Sequence, residues 1–161
     1  MKKIQIRYYQ PRRFLRKQYD KSDKIFFIRK GIVHLYRKKE KTDWLSCENN
    51  VICPFNRFIM EEVSSVTYET LEPTEVQIIN YNDCIELFEF EDFKNAVYRV
   101  IIDHLYKVSK FHADNVGYAS KRYEVFIHHF PNIVNRVPIK VISTFLGVCP
   151  KTISRIKLSK K

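Results

Sequence analysis

Short apolar runs punctuated by polar turns fill the first half of the chain, and helical spacing takes over in the second. Residues 4–9 (I-Q-I-R-Y-Y) alternate as a half-buried strand does. Pro11 breaks that run, and a second begins over 14–17. After a polar turn at 20–24, Ile25-Phe26-Phe27-Ile28 reads as a buried strand. Gly31 then closes an R-K-G turn, where a positive φ suits glycine. Residues 32–36 alternate again, and further strands are predicted over 44–47, 51–53, 66–71 and 76–79. Many short strands at regular intervals predict a double-sheet roll or sandwich.

From Tyr81 the period changes. Asn82 or Asp83 can cap a short helix through D-C-I-E-L-F, and a long helix is predicted over 93–115. Val97, Ile101, Leu105, Val108 and Phe111 mark its apolar stripe at near-heptad spacing, which fits a core face or a helical seam. Gly117 ends it, and a further helix over 120–130 closes at Pro131. Then Val141, Ile142, Phe145 and Leu146 form a buried stripe, and Gly147 supplies a left-handed stop. Pro150 opens a second short helix at its first position, with Ile153 and Ile156 turned inward and Lys151 and Arg155 outward. Two short helices, a glycine turn and a basic face describe a helix-turn-helix, though an ordinary helical hairpin shares the pattern.

The run R-Y-E-V-F-I-H-H-F-P-N-I-V-N-R-V-P-I-K-V-I-S-T-F-L-G-V-C-P-K-T-I-S-R-I-K resembles the C-terminal half of Crp/Fnr-type bacterial transcription regulators, most of all their short, wingless forms. The most specific part is L-G-V-x-P-x-T-I-S-R-I, and K-I-F-F-I-R-K-G-I-V-H-L-Y is similar to the signature of that family's β-roll. The resemblance spans nearly the whole chain. It implies an α+β fold: an N-terminal double-stranded β-roll of the cyclic-nucleotide-binding type over 1–90, a long dimerisation helix over 91–117, and a helix-turn-helix domain over 118–161. It also implies a homodimer joined through Val97, Ile101, Leu105 and Val108, double-stranded DNA as partner, and RNA polymerase as a candidate further partner. The family's first helix has no room ahead of the strand at residue 4, which leaves the covering of one roll face open.

The same resemblance assigns roles on the second short helix. Arg155 matches the family's arginine and suits bidentate contact to guanine O6 and N7. Lys151 departs from the usual glutamate, so a cytosine amino group loses its acceptor and the family's operator sequences do not transfer. Thr152 and Ser154 are phosphate-contact candidates, with ordinary helix surface as the alternative. Lys140, Lys157, Lys160 and Lys161 suit sequence-independent phosphate attraction.

Charge sharpens this picture. The net charge is +11 with pI about 9.5, which favours a polyanionic partner. Residues 1–41 carry fifteen Lys/Arg against three Asp/Glu, 42–95 two against twelve, and 96–161 twelve against three. No apolar run approaches the roughly 18 residues of a membrane span, so a cytoplasmic protein is expected. Cys47, Cys53, Cys84 and Cys149 show no metal-like spacing and read as buried free thiols. With no cysteine before Cys47, the iron–sulphur mode of the family's oxygen sensors is not expected. His34, His104, His112, His128 and His129 are scattered, and no metal or cofactor is assigned. In the stretch matching the family's nucleotide cassette, no glycine lies between Gly31 and Gly117, and Ser65 stands where the phosphate-binding arginine would. Glu61, Glu62, Glu69 and Glu72 are expected to repel an anion there, with Arg57 an isolated surface cation. The roll is therefore expected not to respond to cyclic nucleotides, and the small-molecule effector is left unknown.

Other classes stay in view. One is a ligand-binding signalling module, with a β-roll, whose helix pair no longer reads DNA. Another is an RNA binder using Arg12, Arg13, Arg16 and Lys17 among Tyr8, Tyr9 and Phe14, although those aromatics are expected in the roll core. No nucleophile–base pair, metal set or phosphate loop supports an enzyme.

Overall fold

A computed structural model describes residues 4–37 and 41–159. Among them, eight strands make two antiparallel four-stranded sheets. One sheet has β1 (Ile4–Tyr9), β8 (Thr74–Asn80), β3 (Lys24–Lys30) and β6 (Val51–Ile52), in that order. The other has β2 (Phe14–Arg16), β7 (Thr67–Thr70), β4 (Val33–Arg37) and β5 (Lys41–Ser46). Period-two alternation sends Phe26 and Ile28 of β3 and Val76 and Ile78 of β8 inward, where they meet Val33, Ile52, Val66 and Tyr68. The result is a two-sheet roll with its own apolar core.

Two expectations change here. Tyr8 and Phe14 are 75% and 44% exposed, because β1 and β2 are each the edge strand of their own sheet, and β1 turns Ile4, Ile6 and Tyr8 outward. Arg16, one of the cations that the RNA-binding alternative would use, is buried instead. Its guanidinium lies 5.3 Å from the ring centres of both Phe26 and Tyr68, and its Nη2 donates to the Lys24 carbonyl at 2.8 Å. A short helix, α1 (Phe55–Ile59), follows Pro54, and five residues are too few for a period to show in sequence. Arg57 belongs to it and is not a lone cation, since its Nη1 donates to Glu62 at 3.1 Å and to the Val63 carbonyl at 3.0 Å.

The remaining helices are α2 (Tyr81–Leu87), α3 (Glu91–Asp114), α4 (Ala119–His129), α5 (Ile139–Leu146) and α6 (Pro150–Ser159). Phe111, Phe126, Ile133, Ile142, Leu146 and Ile153 bury together with Ile32 and Leu45 from the roll, so the sheets and the C-terminal helices share one core. Trp44 of β5 is its pivot. Phe111, Phe130 and Phe145 pack edge-on around its ring at 5.5–5.7 Å, while Phe111 and Phe145 stack at 4.8 Å. Beside them, the hydroxyls of Thr42 and Thr144 lie 2.6 Å apart, and Thr42 also bonds His34 Nε2 at 2.8 Å.

An ion cluster closes the same seam. Arg136, between α4 and α5, donates from Nη2 to Glu48 at 2.6 Å and also to Glu72, while Nε reaches Glu72 at 3.2 Å. The Arg136 hydrogen bonds hold the Glu48 carboxyl at about 2, well below its usual 4.5. A depressed acid pKa means that this stabilisation is full above pH 4.5 and is lost as pH falls toward 2. Glu48→Gln should therefore cost roughly 1 kcal/mol at neutral pH, after allowing for solvent screening at a partly exposed bridge. In urea titrations, the gap between wild type and variant should shrink steadily below pH 4.5; a gap constant down to pH 2.5 would contradict the assignment.

Candidate nucleic-acid interface

The paired helices α5 and α6 owe their shape to three local choices. Pro138 is extended (φ −58°, ψ 141°), and its carbonyl takes the first amides of α5, from Val141 and Ile142. Gly147 ends α5 in the left-handed region (φ 62°, ψ 38°), and the Val148 amide returns to the Ser143 carbonyl at 2.9 Å. Cys149 then starts α6, its carbonyl accepting from Thr152 and Ile153, ahead of Pro150. Ile153 is fully buried beside Ile142 and Leu146 and fixes the rotation of α6.

That rotation decides which side chains face out. Lys151 and Arg155 are exposed one turn apart, as expected from their spacing. Leu158 shares their face and is 71% exposed, a residue that the sequence reading passed over. Its signal was present, since it lies three residues after Arg155 and seven after Lys151. Thr152 and Lys157 are half-buried flanks of that face, and Lys140 is exposed on α5. The Ser154 hydroxyl donates to the Pro150 carbonyl at 3.0 Å, so its proton is already used within the helix. Lys160 and Lys161 lie outside the described residues. No Asp or Glu follows Glu124 anywhere in the sequence, which leaves this face uniformly basic. Arg136 is removed from that set by its two carboxylate partners.

Of the thiols expected to be buried, Cys53 and Cys84 are, and Cys47 is half-buried. Burial pushes the Cys84 thiol up to about 11. Cys149 is exposed instead, because the tight α5–α6 connection offers no interior to enter.

The long helix α3 carries a second candidate surface. Val97, Ile101 and Val108 are half-buried toward the chain's own roll and α2, whereas Leu105 is 61% exposed. With Leu105 on the free face stand Tyr98, Ile102 and Tyr106, at 53%, 66% and 66% exposure. At 100° per residue these four fall within an arc of about 100°. The near-heptad stripe read from sequence thus mixes two faces, and the free apolar ridge runs through Tyr98, Ile102, Leu105 and Tyr106. Contiguous exposed apolar surface of this kind marks an interaction face. No described helix is long and apolar enough to cross a membrane.

The anionic surface expected in the nucleotide cassette is not found either. Glu61 pairs with Lys21, Glu62 with Arg57, Glu69 accepts from Tyr36 and Glu72 from Arg136. None of these carboxylates lines the roll's cavity, whereas Ser65 does.

No protein-family model and no curated protein matches the sequence. Solved structures do match the fold. The FixK2 structure from Bradyrhizobium japonicum is similar over 98% of this chain and 83% of its own, with a TM-score of 0.81 at 11% identity. CLP of Xanthomonas campestris, described as a c-di-GMP responsive global regulator, is similar over 98% of this chain and 87% of its own, with a TM-score of 0.74 at 14% identity. A CooA variant from Carboxydothermus hydrogenoformans is similar over 98% and 76%, with a TM-score of 0.71 at 14% identity. The fold of Crp/Fnr-type regulators, a cyclic-nucleotide-binding-like roll followed by helices, is therefore the fold of this chain.

Proposed function

We propose that the protein is a homodimeric, sequence-specific DNA-binding transcription regulator of the Crp/Fnr type, with no catalytic step. The observation that carries this reading is α6. It is held by Ile153, faces solvent with Lys151, Arg155 and Leu158, and lies in a segment free of acidic side chains. A helix presented in this way fits a major groove, where arginine reads guanine and an apolar tip meets a thymine methyl. Two copies related by a two-fold axis would read half-sites about 34 Å apart. Lys140 and Lys157 add phosphate attraction on either flank. Selection of bound sites from random duplex DNA with the purified protein tests the reading. An inverted repeat spaced by one helical turn is the expected product, and recovery without any enriched motif would defeat it.

The regulator is not expected to answer to cyclic nucleotides. The electrostatic objection lapses, since the carboxylates point elsewhere, but the steric one stands: Ser65 lines the cavity without a glycine-borne backbone cradle for a cyclic phosphate. Titration calorimetry with cyclic AMP should show nothing tighter than the roughly millimolar binding of an unspecific organic anion, and micromolar binding would refute this.

A further inference from the structure

A cavity of about 600 Å³ extends from the roll interior to the junction with the C-terminal helices. Its size lies within the range of small-molecule sites. At the junction, Trp44, Phe111 and Phe145 form an aromatic wall, and Lys41, Asn115 and Arg122 supply the polar groups. Asp43 is the one acid on the described wall, and Arg37 already holds it at 2.9 Å. Lys41 and Arg122 have no ion-pair partner among the described residues, so within that set the junction carries two unpaired positive charges. Moreover, Arg122 Nε and Asn115 Oδ1 are both buried without a hydrogen-bond partner. Buried polar groups are seldom left unpaired, and a guanidinium least of all. The carbonyl ends of α3 and α5 also reach the cavity and oppose an anion, but their fractional charges are smaller than two full cations.

We propose that this junction binds a small organic anion. Its carboxylate or phosphate head accepts from Arg122, and a ring-sized apolar body lies against Trp44 and Phe145, which Phe111 backs. The Oδ1 of Asn115 accepts from any donor beside the head. Arg122 Nη2 lies 3.6 Å from where a Cβ on Gly147 would stand, so the head sits at the turn that joins α5 to α6. Occupancy would thus bear on the reading helix; that consequence alone rests on the proposed function, whereas binding itself does not.

Trp44 is the only tryptophan in the chain, so its fluorescence reports the site directly. The full-length protein, without DNA, is titrated with benzoate, phenyl phosphate and neutral benzyl alcohol. A saturable change is expected for at least one anion, with Kd on the order of 1 mM or tighter, and at least about tenfold weaker binding for the alcohol. Response to benzoate alone assigns a carboxylate head, and response to phenyl phosphate alone a phosphate head. Arg122→Gln should weaken the anion by about tenfold or more and leave the alcohol unchanged. Lys41→Gln, on an exposed side chain, should weaken it by about two- to fivefold without moving the melting temperature. If Arg122→Gln fails to fold, the Lys41 variant decides. The proposal is overturned if neither anion saturates, if the alcohol binds as well, or if the deciding variant binds the anion as tightly as wild type. Saturable binding alongside a failed site selection would retain the ligand site and remove the DNA reading; the opposite pair of results would do the reverse.

Discussion

Ile102→Glu should leave a folded protein that no longer self-associates. Ile102 is 66% exposed on α3, so the change costs the single chain little. In a two-fold pairing of α3 ridges, however, it sets two carboxylates against each other, and such like-charge contacts cost several kcal/mol. Sedimentation equilibrium should show a dimer for wild type and a monomer for the variant, with matching circular dichroism. Ile101→Glu is the informative control. Ile101 is half-buried toward α1 and α2 beside Phe58 and Cys84, so that variant should lose fold stability before it loses partners. An Ile102→Glu protein that still sediments as a dimer would move the interface off α3.

Arg155→Ala should abolish most of the discrimination between a selected site and scrambled DNA. Each bidentate guanine contact is worth about 1–3 kcal/mol and a homodimer loses two, so specific affinity should fall by roughly 30-fold or more while non-specific affinity barely moves. Lys157→Ala should behave differently, lowering both affinities alike and reducing the salt slope by about two units, one for each copy. Fluorescence anisotropy on both duplexes over a salt series separates the two effects. Equal losses on both duplexes for Arg155→Ala would reduce that residue to a phosphate contact and undo the groove-reading assignment.

These two predictions differ in how legible their residues were in the sequence. The α5–α6 pair was readable because Gly147, Pro150 and the spacing of Ile153 act locally, and each fixes a turn or a rotation without help from elsewhere. The ridge on α3 was not, because periodicity shows that a helix has an apolar stripe but not which partner covers it. Near α3 the roll takes Val97, Ile101 and Val108, which pushes the free face on to Ile102. Long-range pairing hid other features as well. Arg16 looks like its basic neighbours until β2 turns it beneath Tyr68, and Glu72 looks repulsive until Arg136 arrives from 64 residues away. Arg122 and Asn115 had no motif to announce them; only the junction brings them to the same cavity.

The pairing of β1 with β8 sets a timing problem during synthesis. Tyr9 bonds opposite Thr74 and Ile4 opposite Ile79, so the partner strand is made 65 to 75 residues after β1. At ribosomal rates that leaves β1 waiting for roughly 3–15 s. Throughout that wait it is an apolar, β-prone segment with both edges unpaired, the kind that invites association with other nascent chains. Arg7 within it, and Arg12 and Arg13 just beyond, place positive charge where such stacking would begin. The charge of Arg7, Arg12 and Arg13, which the folded roll leaves outside its core, is therefore suited to keeping the unfinished chain apart from its neighbours.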